Sequence, residues 1–278
     1  MSLLKEILKL FKINIKEHPE VKKTFTVNTP NAFKSIAIGQ QVWMAENLHV
    51  FNFRNGDPIP IVKSDEEWEK AGKNKQAACC YYQNSAENGQ TYGVLYNWYA
   101  VKDSRGLAPE GWHIPSDKEW NVLTNYLGGA DQGLKASFTN ALEFFFTDID
   151  NRTAGAKMKS KEGWSEYEDE IECKACKQWS PQQQAGQQCD ACKDTRKLRA
   201  QVSGNGTNES GFNGLPGGSR FSNGTFSNIG SNGYWWSSTE NYTFDAWYRY
   251  LDYNVGNVSR INYFKELGLS VRCLRDSR

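Results

Sequence analysis

Four cysteines carry the most specific chemical signal in the chain: Cys173 and Cys176 form one C-x2-C pair and Cys189 and Cys192 a second, with twelve residues between the pairs. Thiolates at this spacing can close a tetrahedron around Zn²⁺, because each short turn sets both sulfurs of a pair on one side of the backbone. Four protein ligands leave no open position for water, so such a zinc is structural and holds its segment together rather than activating a nucleophile. The Gln-rich stretch Gln182 to Gln188 between the pairs cannot form a core, and metal binding would supply its folding free energy. Two disulfides or a redox pair are the other uses of this spacing. Lys193, Arg196, Lys197 and Arg199 follow the second pair and would suit a nucleic-acid-binding ribbon, but the acidic run Glu166 to Glu172 precedes the first.

The remaining cysteines, Cys79, Cys80 and Cys273, read as buried small apolar side chains, with a Cys80 to Cys273 link left open. His113 is the most tempting general base, yet in Gly-Trp-His-Ile-Pro it reads better as a satisfied, partly buried core histidine. His18 and His49 have no partners at ligand spacing, and neither a serine nucleophile elbow nor a phosphate-binding glycine loop is present. No catalytic constellation follows, and the expectation is a chain that is not an enzyme.

The elements that would position these residues are short. Leu3, Leu4, Ile7, Leu8 and Phe11 fall on one face of an amphipathic helix that packs on the domain or on a partner chain, and residues 1–34 are read as this helix and a linker. From Ser35 the texture changes to strand-like runs broken by Gly, Asn and Pro: a strand over Ile36 to Trp43, then a turn at Arg54-Asn55-Gly56-Asp57. Ser64 to Trp68 and Ser116 to Trp120 are capping boxes, predicting two short helices; in the second, Trp120, Leu123 and Leu127 share a face and Gly128-Gly129 ends it. Beyond Gly211 turns and short strands dominate, so the fold class is α+β, mostly antiparallel, with much irregular loop.

Composition narrows the function classes. Thirty-three basic and 32 acidic residues give a net charge of +1 in 278 residues, which offers no footprint for nucleic acid. No apolar run approaches the roughly 20 residues that span a bilayer, and Met1 to Glu20 lacks the apolar core of a signal peptide; the cytoplasm or a phage virion is the expected location. Six N-x-S/T sequons, starting at Asn151, Asn205, Asn208, Asn223, Asn241 and Asn257, read as by-products of Asn-rich turns.

Several strings together resemble one family. They are Ile38-Gly39-Gln40-Gln41-Val42-Trp43-Met44-Ala45-Glu46-Asn47-Leu48, Tyr92 to Val101 (YGVLYNWYAV), Leu107 to Ser116 (LAPEGWHIPS), Gly211-Phe212 through Leu215-Pro216-Gly217-Gly218, Trp235 to Glu240 (WWSSTE) and Ser270-Val271-Arg272-Cys273. In this order, over roughly residues 36 to 275, they look like the Fibrobacter succinogenes major paralogous domain. The resemblance implies a domain over 35–278 with the C-type-lectin-like fold of the formylglycine-generating enzymes, interrupted by an inserted zinc-binding module at 166–204. Those enzymes use reactive cysteines beside a cleft, for which no equivalent motif is found.

The segment 233–275 resembles the variable region of diversity-generating retroelement target proteins, in which adenine mutagenesis diversifies Asn codons but does not yield Lys, Glu, Gln, Met or Trp. Asn241 to Phe264 contains no Lys, Glu, Gln or Met, and its single Trp247 fits a fixed position. Trp247, Arg249, Leu251, Gly256, Val258 and Arg260 alternate with Tyr248, Tyr250, Asp252, Asn254, Ser259 and Ile261, and a spacing of two places the sets on opposite strand faces. Exposed Tyr gives large contact area at low entropic cost. The expected ligand-contacting set is therefore Tyr242, Phe244, Asp245, Tyr248, Tyr250, Asp252, Asn254, Ser259, Ile261, Tyr263 and Phe264, meeting a protein or cell-surface ligand. Carbohydrate binding is the alternative, because aromatic faces suit sugar rings, although the Glu-Pro-Asn and Gln-Pro-Asp strings of calcium-dependent lectins are absent.

Overall fold

Gly39 sits at φ +60°, a backbone state that favours glycine, and there the run Ile36 to Trp43 folds back instead of continuing as the single strand its composition predicts. Two strands result, β1 (Ser35–Ile38) and β2 (Gln41–Met44), paired from Ser35↔Met44 to Ile38↔Gln41. In the computed structural model, which describes residues 33–128, 153–174 and 197–277, this hairpin joins β5 (Trp112–His113) and β13 (Leu274–Arg275) in a sheet of order β1-β2-β13-β5. The first and last strands of the domain thus share one sheet.

Both predicted helices form: α1 (Asp65–Lys73), where Ser64 Oγ accepts from Glu67 N at 3.2 Å, and α4 (Asp117–Gly128). At α4 the capping box is reciprocal: Glu119 N donates to Ser116 Oγ at 3.3 Å and Ser116 N to Glu119 Oε2 at 2.7 Å. Trp120, Leu123 and Leu127 are buried along one face, as their spacing requires. The expectation of two helices falls short, since α2 (Ala86–Tyr92), α3 (Trp98–Val101) and α5 (Ala154–Met158) also form. They are too short for a periodic apolar signal, and the first two are started by polar caps: Ser85 Oγ accepts from Asn88 N, and Asn97 Oδ1 from Ala100 N and Ala78 N.

The remaining strands pair in chain order: β3 (Cys79–Cys80) with β4 (Leu95–Tyr96), β6 (Glu166–Glu172) with β7 (Lys197–Ser203), and β8 (Gly217–Arg220) with β9 (Phe226–Ile229). Last comes a meander of β10 (Asn232–Glu240), β11 (Asp245–Asp252) and β12 (Ser259–Phe264). Among the described residues every ladder is antiparallel and five short α-helices form, so the architecture is α+β. Among the described residues no helix is long and apolar enough to cross a membrane. The amphipathic run Leu3 to Phe11 and the knuckle cysteines Cys176, Cys189 and Cys192 lie outside the described residues; Cys173 is buried at the end of β6.

The two faces of the meander pack on different cores. Trp235, Leu251 and Val258 join Trp43, Trp120, Met158, Trp164 and Phe212 on one side, whereas Trp236, Ala246 and Tyr248 join Tyr96, Trp98 and Val271 on the other. The first core is an aromatic stack: Trp43 lies 4.8 Å from Trp120 and Phe212 5.6 Å from Trp235, contacts worth about 0.5–1.5 kcal/mol each beyond their burial.

Candidate functional site

Strand register gathers the candidate residues. Tyr248 lies opposite Trp236 on β10 and Ile261 on β12, Tyr250 opposite Tyr234 and Ser259, Asp252 opposite Asn232, and Ala246 opposite Tyr263. Directly paired residues share a sheet face. Tyr248, Tyr250, Asp252, Ser259, Ile261 and Tyr263 therefore converge on one face, as their spacing of two demands. Asp245 and Phe264 pair with each other on the reverse face, beside Trp247. Tyr242 and Phe244 stand on the β10–β11 turn, 72% and 64% exposed, and Asn254 is exposed on the β11–β12 turn.

Tyr248 departs from the outward role expected of it. It is only 8% exposed and packs edge-on against Trp236 at 5.9 Å, so it forms the floor of the face rather than its surface. Burial, then the neighbouring Tyr234, Tyr250 and Tyr263 hydroxyls, push its phenol well above the ordinary tyrosine range. Tyr234 is the participant that the reading of 241–264 missed. Its ring lies 5.7 Å from that of Tyr250 and 6.0 Å from that of Tyr248, and Asn228 Nδ2 donates to its hydroxyl at 2.9 Å. The signal was present, since Tyr234 and Trp236 continue the same alternation one strand earlier.

Both ends of the face are fixed from below. At the β11–β12 turn the Lys159 ammonium, 4% exposed, donates to Asp252 O, Tyr253 O and Val255 O at 3.1, 3.2 and 3.2 Å. Burial lowers its pKa, and the carbonyls replace the water it has lost. Ala156 N donates to Gly256 O at 3.1 Å, and a Cβ on Gly155 would stand 2.3 Å from Asn257 O, so only glycine lets α5 approach this turn. At the other end Lys265 turns inward, donating to Thr243 O at 2.7 Å and pairing with Glu240. Lys265, the residue after the candidate set, therefore faces the interior rather than the candidate surface.

Beneath β11 and β12, Asp117 at the start of α4 accepts from Arg249 Nη1 at 2.8 Å and from Arg260 Nε at 2.9 Å. Burial alone would raise this carboxyl; the hydrogen bonds and charges of Arg260 and Arg249 outweigh it and hold the pKa below the usual range. Arg260 also lies 3.4 Å over the Trp247 ring. Arg249 and Arg260 are thereby tied to the scaffold, as their alternation predicts.

The other chemically interesting side chains fall elsewhere. His113 Nδ1 lies 2.7 Å from Asp276 Oδ1 and its Nε2 3.0 Å from Glu119 Oε1, at a cleft of about 330 Å³ also lined by Arg54, Asp103 and Ser238. Both ring nitrogens are thus engaged by carboxylates. Cys79, Cys80 and Cys273 are buried free thiols, and burial pushes the first two to about 12 and about 11 and Cys273 higher still. Among the described residues no group of three or more His, Cys, Asp or Glu side chains is placed to hold a metal ion.

Residues 36–275 match the Fibrobacter succinogenes major domain. The chain belongs to this family. No curated protein and no solved structure matches it. The strings that carry the Fibrobacter succinogenes major domain signature meet around Asn47, whose Oδ1 accepts from Trp235 Nε1 at 2.8 Å and Arg272 Nε at 3.1 Å. Arg272 is fully buried, bonds Phe212 O and stacks over the Phe212 ring at 4.3 Å. The family signature therefore builds the interior on both sides of the meander: Trp235 and Phe212 on one, and Trp236, Tyr96, Trp98 and Val271 on the side that carries the candidate face.

Proposed function

We propose that this chain is a non-enzymatic recognition protein: a C-type-lectin-like scaffold that displays a ligand-binding face on β10–β11–β12, of the kind found in variable proteins of diversity-generating retroelements. The observation that carries the reading is the convergence of Tyr250, Asp252, Ser259, Ile261 and Tyr263 on one sheet face whose backbone is anchored from beneath by Lys159 and Asp117. Side chains on such a face can change while the anchors hold the main chain. The absence of Lys, Glu, Gln and Met from Asn241 to Phe264 is what adenine mutagenesis of Asn codons would leave. Phage receptor binding or bacterial surface recognition suits such a protein, with a protein or cell-surface ligand. A formylglycine-generating type of oxidation would need an activated thiol, and burial holds Cys79, Cys80 and Cys273 protonated.

Within the same reading, Cys173, Cys176, Cys189 and Cys192 hold one structural zinc. The β6–β7 ribbon supports this, because its register brings Glu172 opposite Lys197 and so closes the base of the segment carrying the other three cysteines. Its loop-closure entropy is thereby reduced before metal binds.

The deciding experiment is to sequence the few kilobases of genomic DNA that flank the gene. A second copy of its 3′ end, differing mainly at adenines and lying beside a reverse transcriptase, is the expected result and would name the varied residues directly. A flank without such a repeat would overturn the variable-protein reading and leave carbohydrate binding by the tyrosine face as the reading to pursue.

A further inference from the structure

Among the described residues one border of the meander is covered and the other is open. On the covered side Trp236 N donates to Ser270 O at 3.1 Å and Trp235 bridges Ser270. On the open side β12 pairs with β11 without interruption from Tyr250↔Ser259 to Asp245↔Phe264. Alternate residues of such a strand turn N–H and C=O away from the partner, so about three donors and three acceptors face outward. Apart from Phe264 O, which accepts from Leu267 N at 3.1 Å, no described backbone group outside β11 bonds the main chain of β12.

Sheet edges are normally blunted by Pro, Lys, a bulge or an inward charge. β12 has neither Pro nor Lys, and its ladder has no bulge. Its one charged side chain, Arg260, is turned inward to Asp117 and is the single blunting device among these that the strand carries, while Ile261 and Tyr263 remain 38% and 45% exposed.

We infer that β12 pairs antiparallel with β12 of a second copy of this chain across a two-fold axis, joining the two meanders into one continuous sheet. The strand is self-complementary for this. An axis through Ile261 sets Ile261 against Ile261, Ser259 against Tyr263 and Arg260 against Asn262. An axis through Asn262 sets Ile261 against Tyr263 and Arg260 against Phe264. In both arrangements Ile261 meets an apolar or aromatic side chain and the only charge avoids itself, whereas like charges directly opposed would destabilise the pair. An extended ligand peptide would use the same hydrogen bonds but has no such built-in match. The inference does not rest on the recognition reading, because edge pairing leaves the tyrosine face open.

Sedimentation velocity on the full chain from about 1 to about 100 µM reads it out. The expected result is growth with concentration from the 31.6 kDa monomer to twice that mass. Asn262→Lys places a lysine opposite Arg260 or opposite itself, and should raise the dissociation constant at least about tenfold. Hydrogen exchange on the wild type gives a readout that needs no variant, since amide protection over 259–264 should rise with concentration while that of β1–β2 stays fixed. A chain that remains monomeric throughout, or a dimer without added protection at β12, would overturn the inference. An Asn262→Lys variant that folds, by circular dichroism, and dimerises as the wild type does would overturn it equally.

Discussion

Asp117 Oδ1 lies 2.8 Å from Arg249 Nη1, so the first residue of α4 neutralises a guanidinium buried under the middle of β11. The same carboxylate receives Arg260 of β12, and Asp117 N donates to Thr239 Oγ1 of β10 at 2.9 Å. One residue thus ties a helix start to all three strands of the candidate face.

Asp117→Ala would leave Arg249 buried without its charge partner, a loss of about 3–5 kcal/mol for a broken buried pair. Urea unfolding measures it, and a loss below about 1 kcal/mol would show that the pair is dispensable. The pH dependence has a definite sign. The folded pKa is held below the unfolded value of about 3.9, so the stabilisation is complete above about pH 5 and is lost as pH falls through the folded pKa. Asp117→Asn should therefore flatten the stability curve on the acid side alone.

Lys159→Met removes the ammonium that bonds Asp252 O, Tyr253 O and Val255 O while keeping most of the side-chain volume. Each carbonyl left buried without a donor costs about 1–3 kcal/mol unless the turn opens to water. The expected outcome is faster hydrogen exchange over residues 252–258, with that of β1–β2 unchanged. Wild-type exchange in this turn would show that α5 alone is enough to hold it.

The capping boxes, the core face of α4, the β-rich C-terminal half and the alternation along β11 were all legible in the sequence, because each depends on spacing within one element. The hairpin at Gly39 was not. Ile36 to Trp43 has the composition of one strand, and only the partnership of Ser35 with Met44 shows that it is two. The burial of Tyr248 was hidden for a related reason: alternation assigns it a face, but whether that face is open depends on Trp236, from another strand. Tyr234 was passed over because the codon-like restriction drew attention to Asn241 onward, although sheet pairing makes Tyr234 the direct neighbour of Tyr250.

Floor and surface tyrosines should separate on mutation. Tyr248→Ala empties a site packed against Trp236 and should cost about 3–5 kcal/mol, as large aromatic truncations in cores do. Tyr242→Ala and Tyr263→Ala remove exposed rings and should stay within about 0.5 kcal/mol of the wild type. Thermal unfolding of the three variants is the measurement. Equal losses at all three would mean that the displayed rings are part of the core, and the face would no longer be free to vary.

The seven cysteines should fall into two classes by reactivity. Cys79, Cys80 and Cys273 are fully buried with raised pKa values, so neither access nor thiolate is available to a thiol reagent near neutral pH. Cys176, Cys189 and Cys192, if they hold zinc, are masked by metal, and Cys173 by metal together with its burial at the end of β6. A native titration should therefore find almost no reactive thiol, a chelator should release one zinc per chain and expose at least three, and only denaturant should expose Cys79, Cys80 and Cys273. Metal analysis that finds no zinc, with three or more thiols reactive from the start, would remove the zinc site. Reaction of Cys273 in the native chain would show instead that the interior around Arg272 opens readily, and a thiol there would again be available for chemistry.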